Sequence, residues 1–109
     1  QIRKKNKEYI LESISLNDLL KKFNAPKIID YLSIDTEGSE FDILNNFNFN
    51  KYKFRIITCE HNFTPNRNKI NKLLTRNGYV KKYSNLVSFA DDWYVCSFDK
   101  TKNSQWTFI

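Results

Sequence analysis

The stretch IDYLSIDTEGSEFDIL, residues 29–44, decides the fold. An apolar run ends in four carboxylates, Asp35, Glu37, Glu40 and Asp42, gathered around Gly38, one of two glycines in the chain. Ile28, Ile29, Tyr31, Leu32 and Ile34 place apolar side chains on both faces of a strand over 27–35. Such a strand belongs in a parallel sheet covered by helices. Gly38 supplies the turn, and 39–47 reads as a helix with Phe41, Ile43, Leu44 and Phe47 inward.

Working outward, the units alternate in type. Ser15 is an N-cap with Asp18 at the third helical position. Leu16, Leu19, Leu20 and Phe23 follow at helical spacing, and Pro26 stops that helix. Phe54 to Glu60, FRIITCE, is a second buried strand. Pro65 and Asn66 open a helix with Ile70, Leu73 and Leu74 on one face, and Asn77-Gly78 closes it, Gly78 in the left-handed region. A third strand is expected over 79–83 and a fourth over 93–98, joined by a turn near Ser84-Asn85. The order α-β-α-β-α-β-β predicts an α/β layered fold with a C-terminal hairpin.

At 109 residues and 40% hydrophobic content, the chain suits one packed domain or part of a larger one. No apolar run reaches the roughly 18 residues of a membrane span. The opening QIRKKNKEY is basic with no apolar segment behind it, so no secretory signal is read there and a cytoplasmic setting is expected. A first residue of Gln and no Met anywhere set the expectation of a piece of a longer protein. Cys59 and Cys96 each sit in an apolar stretch at no zinc-like spacing, and read as two reduced core thiols. The net charge of +6 is spread thinly, and no RGG run, RNP-like motif or zinc finger accompanies it. A Lys- and Asn-rich surface is therefore preferred to a nucleic-acid partner.

Ligands of open α/β sheets sit beyond the carboxyl ends of the strands. The first strand ends in Asp35-Thr36-Glu37-Gly38 and the second in Glu60-His61-Asn62. If these strands are parallel neighbours, Asp35, Glu37, Glu60, His61 and Asn62 share one rim. Glu40 and Asp42 fall in a first helical turn, where the macrodipole favours carboxylates by a few tenths to about 1 kcal/mol each, and are assigned to that role. His61, the only histidine, gains interest through its company alone.

These residues resemble the C-terminal half of an FkbM-type methyltransferase. The hallmark I-D-x-L-x-I-D-x-E-G-x-E is matched by Ile29, Asp30, Leu32, Ile34, Asp35, Glu37, Gly38 and Glu40. Glu60 matches a following strand that ends in Glu, and Gly78-Tyr79 a helix that closes on Gly-Tyr. DDWYV and the upstream Leu16-Asn17-Asp18-Leu19-Leu20 add support. The resemblance implies a Rossmann-like class I fold whose strands four to seven this chain would hold, the last antiparallel. It implies S-adenosylmethionine as cofactor and a hydroxyl of a sugar, glycan or natural product as acceptor. The family's glycine-rich cofactor loop lies after a first strand, and nothing here matches it, so the cofactor-binding residues are expected outside this chain. The piece alone is expected to be inactive. The strand over 28–35 would then leave an apolar edge for the absent half or a pairing chain.

Two chemistries fit the rim. Asp35, Glu60 and Asn62 could hold a divalent cation such as Mg²⁺, as oxygen ligands do, or Glu37 or His61 could act as general base. The carboxylates are favoured over His61. Asp35, Glu37, Glu60 and His61 are thus the candidate catalytic residues. The rivals are a basic binding module, a non-catalytic scaffold, and a hydrolase-like site, the last disfavoured by the absence of a G-x-S-x-G elbow or a P-loop.

Overall fold

A computed structural model describes residues 12–61, 64–82 and 91–97. Its elements are α1 (Leu16–Lys22), β1 (Ile28–Ile34), α2 (Glu40–Asn45), β2 (Lys53–Glu60), α3 (Asn66–Arg76), β3 (Tyr79–Lys82) and β4 (Asp91–Cys96). The four strands form one mixed sheet in the order β1-β2-β4-β3. β1 and β2 are parallel, in register from Ile28↔Lys53 to Ile34↔Cys59. β4 runs antiparallel to both of its neighbours. The fold is therefore α/β, and the expected hairpin is present as the β3–β4 pair. Tyr83 and Phe98, expected as strand ends, lie outside the described residues, as does the Ser84-Asn85 turn. β4 starts two residues earlier than expected because Asp91 and Asp92 pair with Glu60 and Cys59.

β2 is the centre of the sheet. Ile56, Ile57, Thr58 and Cys59 are buried in succession, since both faces and both edges of the strand are covered. One face, with Ile34, Ile57, Cys59, Tyr94 and Cys96, meets Leu44 of α2 and Ile70, Leu73 and Leu74 of α3. Both thiols are free and buried, as read from sequence. Phe47, Phe49 and Phe54 extend this core, with ring centroids 4.8 Å apart for Phe47–Phe49 and 5.3 Å for Phe47–Phe54.

β1 is the open apolar edge that the resemblance implies, but its faces depart from expectation. Its composition predicts burial on both faces, yet Ile28 is 48% and Tyr31 52% exposed. It is the edge strand, and no described element pairs with its outer side. Tyr31 instead leans onto the sheet, its hydroxyl 2.7 Å from Thr58 Oγ1. α1 is capped as predicted, Ser15 Oγ accepting the Asp18 N–H at 3.1 Å. The chain leaves the helix at Asn24, with φ of 55°, two residues before Pro26. The apolar face expected of α1 is only half used. Leu16 and Leu20 pack on the core, while Phe23 is 70% exposed. Among the described residues no helix is long and apolar enough to cross a membrane.

One buried hydroxyl ties the sheet's two sides. Phe54 lies beyond the β2–β4 register. Its N–H donates to Tyr79 Oη at 3.0 Å, and that hydroxyl donates to the Phe54 carbonyl at 2.8 Å. Tyr79→Phe leaves both backbone groups without this partner in a dry site. It should lower stability by about 1–3 kcal/mol, read as a lower urea midpoint at unchanged slope. An unchanged midpoint would show that the bonds contribute nothing net.

Candidate functional site

The parallel register carries Asp35 and Glu60 off the same end of the sheet. The loop between β1 and α2 bends there through two left-handed residues, Glu37 (φ 57°) and Gly38 (φ 125°). A Cβ on Gly38 would meet nothing within 4 Å, so glycine is needed for its backbone angle and not for space. The loop is latched by Glu40, the first residue of α2. One Glu40 oxygen accepts the Thr36 N–H at 2.6 Å and the other the Gly38 N–H at 3.1 Å. Glu40 occupies the first turn as expected, but macrodipole stabilisation is not its whole role. It is 5% exposed and closes the acidic loop from inside. Its burial pushes the carboxyl up, and the backbone donors of Thr36, Glu40 and Gly38 outweigh that, leaving it below the ordinary value.

Carboxylate oxygens of Asp35, Glu40 and Glu60 all lie within 4.8 Å of one another. Asp35 is exposed, Glu60 half-buried and Glu40 buried. Three hard oxygen donors at this spacing suit a divalent cation of the Mg²⁺ or Ca²⁺ type. Asn62, the third ligand anticipated from sequence, lies outside the described residues. Glu40 occupies that corner, and sequence reasoning passed it over. The signal was present: Glu40, Leu44 and Phe47 stand at i, i+4 and i+7, one stripe of a helix.

Glu37, Glu40, Glu60 and His61 share a cleft of about 410 Å³ with Gly38, Thr64 and Asn66. Burial, and after it the charges of Glu40, Asp92, Asp91 and Asp35, push the Cys59 thiol up to about 12. That thiol is therefore an inert core group at neutral pH.

His61 lines this cleft and also lies beside a second acid. It is 4% exposed, and its Nε2 lies 3.9 Å from Asp92 Oδ1. Asp92, 2% exposed at the start of β4, is gripped by Arg67 of α3 through two bonds of 2.9 Å. Lys81 of β3 adds a contact of 3.3 Å. Burial lowers the His61 pKa, and Arg67 and Lys81 lower it further against the pull of Asp92 and Asp91. Asp92 is also lowered. Burial pushes it up, but the Arg67 bonds and the Lys81 charge prevail. Asp92 was not singled out as a site residue from sequence, though its alternation with Tyr94 and Cys96 puts it on the core face.

Breaking this cluster should cost unequally. Arg67→Ala removes both guanidinium bonds from a buried carboxylate, leaves it Lys81 alone as a cation, and should destabilise by about 3 kcal/mol. Asp92→Ala strands cations whose side chains are 31% and 25% exposed, and water screening should reduce its cost to about 2 kcal/mol. Chemical denaturation of both variants measures the difference, and the reverse order would contradict the assigned burial.

Acidification should weaken the fold in two stages. With His61 below 6.5 in the folded state, protons bind the unfolded chain first as pH falls through that value. Asp92 and Glu40, below 3.8 and 4.5, contribute stability that is lost as pH drops through the carboxylate range. Melting temperatures from pH 8 to 3 should decline in both windows. The upper decline should vanish in His61→Gln, and its persistence there would remove His61 as the cause.

The family model described as Methyltransferase FkbM domain matches residues 2–81, a span that takes in α1 through α3 and most of β3. No curated protein and no solved structure matches the chain.

Proposed function

The chain belongs to the FkbM methyltransferase family, and we propose that it forms the acceptor side of an S-adenosylmethionine-dependent O-methyltransferase. Its substrate would be a hydroxyl of a sugar, glycan or natural product. In this reading β1, β2, β3 and β4 are strands four, five, six and seven of a class I methyltransferase sheet. The order β1-β2-β4-β3, with the last strand inserted antiparallel, supports that numbering. The observation that carries the reading is the convergence of Asp35, Glu40 and Glu60 at the end of two parallel strands in a chain of this family.

Methyl transfer from a sulfonium is an in-line displacement, and the enzyme must orient the acceptor oxygen and take its proton. Asp35 and Glu37 are exposed and can meet an acceptor. Glu60 stands beside them at the end of β2. These three are the proposed acceptor-facing groups. Glu40 holds the loop that presents Asp35 and Glu37. His61, buried and kept neutral against Asp92, forms the cleft wall in this reading and is not the favoured base.

The residues described here do not fit the cofactor's own loop. Gly38 sits in the acidic turn and Gly78 ends α3, and neither belongs to a glycine-rich strand-to-helix turn. We assign that loop to an N-terminal half pairing along the outer edge of β1, without which this chain does not turn over. A cation, where the reaction uses one, would be held by Asp35, Glu40 and Glu60 and would acidify the acceptor hydroxyl. Two buried reduced thiols fit a cytoplasmic enzyme.

The test uses the natural enzyme carrying this chain, with S-adenosylmethionine and a panel of polyhydroxylated acceptors, followed by release of S-adenosylhomocysteine. Asp35→Asn should lower kcat/KM by about 10²-fold or more while cofactor binding is retained. Wild-type turnover in that variant would end the assignment of Asp35. Chelation by EDTA separates the two chemistries. Loss of activity restored by Mg²⁺ supports the cation, and indifference to EDTA supports carboxylate base catalysis.

A further inference from the structure

At the opposite end of the sheet, the amino ends of β1 and β2 border a second cleft. Its volume of about 530 Å³ lies in the range of small-molecule sites, roughly 300–1,000 Å³. Three lysines reach it from separate elements: Lys21 from the last turn of α1, Lys27 from the entry to β1 and Lys51 from the approach to β2. Asp18 is the one carboxylate that lines it.

These lysines differ from the cations of the sheet. Arg55 pairs with Asp30, and Arg67 and Lys81 with Asp92. Lys21, Lys27 and Lys51 have no carboxylate partner among the described residues. Three lysines against one carboxylate give the cleft lining a net positive charge, which favours a bound anion.

The backbone beneath them is held in place. Asn17 Oδ1 accepts the Asn48 N–H at 2.7 Å, and Asn17 Nδ2 donates to the Asn48 carbonyl at 3.4 Å. This reciprocal pair fastens α1 to the loop that carries Lys51. The Lys27 carbonyl accepts the Lys53 N–H at 2.8 Å, which fixes the strand entries to each other. The backbone that bears Lys27 and Lys51 is thus preorganised, which lowers the backbone share of the ordering cost of binding. Half-buried Tyr52 adds an aromatic wall.

We infer that this cleft is an anion site that takes a phosphate or sulfate monoester carried on a sugar-sized body. It goes beyond the acceptor rim and stands apart from it, so its failure leaves the methyltransferase reading untouched.

The test is a ¹⁵N–¹H NMR titration at low ionic strength with glucose 6-phosphate and glucose 6-sulfate, and with glucose and inorganic phosphate as controls. Both esters should shift amides around Lys21, Lys27, Lys51 and Tyr52. Lys27→Gln and Lys51→Gln should each weaken binding about 2–5-fold. Lys72→Gln, on the exposed side of α3, should leave it unchanged. Shifts absent from these residues, or glucose binding as well as the esters, would overturn the site. Equal weakening by Lys72→Gln would assign the effect to net charge and overturn it too. Inorganic phosphate binding as tightly as the esters would overturn the sugar-sized body.

Discussion

The parallel pairing of β1 with β2 is the constraint on which the rest depends. Parallel strands deliver their carboxyl ends to one side, so the register through Ile34↔Cys59 leaves Asp35 and Glu60 no choice but to share a rim. β4 then runs the other way, and its first residues, Asp91 and Asp92, arrive at the same end opposite Glu60 and Cys59. The topology therefore concentrates acid that is dispersed along the sequence. A chain of net charge +6 acquires a local negative pole from strand direction alone.

Such a concentration of like charge has to be offset, and two devices divide the work. Glu40 turns inward and takes two backbone N–H donors from the loop it closes. Asp92 turns inward and takes Arg67 in a bidentate grip, with Lys81 beside it. A bidentate guanidinium fixes direction as well as charge. α3, β3 and β4 are thereby joined at one buried point behind the cleft. Of the rim acids, Asp35 and Glu37 are the ones left exposed at the surface.

Most of the fold was legible because its elements are strongly periodic. Ile70, Leu73 and Leu74 mark one face of α3, and the apolar run of β2 marks a central strand. The same periodicities held the signals for Glu40 and Asp92, whose polarity hid them, because carboxylates are ordinarily read as solvent groups. β1 failed in the opposite direction. Its open edge was expected from the resemblance, but the exposure of its faces was not, because burial depends on which neighbours arrive. The neighbour relations of the rim were legible only conditionally. Two polar strand ends mark a site only if the strands are adjacent and parallel, and adjacency is a property of the sheet.

The two ends of the sheet act as separate electrostatic environments. The seven residues of β1 span roughly 23 Å at about 3.3 Å per residue, while charges in physiological salt are screened over about 8 Å. The lysines at the amino ends therefore do little to neutralise the acids at the carboxyl ends. Each pole has to be balanced locally. At the acidic pole the protein supplies that balance itself through Arg67, Lys81 and the loop N–H groups. At the basic pole Asp18 is the one carboxylate in the cleft lining. The asymmetry follows from where the buried groups lie. A buried acid such as Asp92 must be paired for the chain to fold, whereas exposed lysines lose little by facing water, and so stay available to whatever anion reaches them.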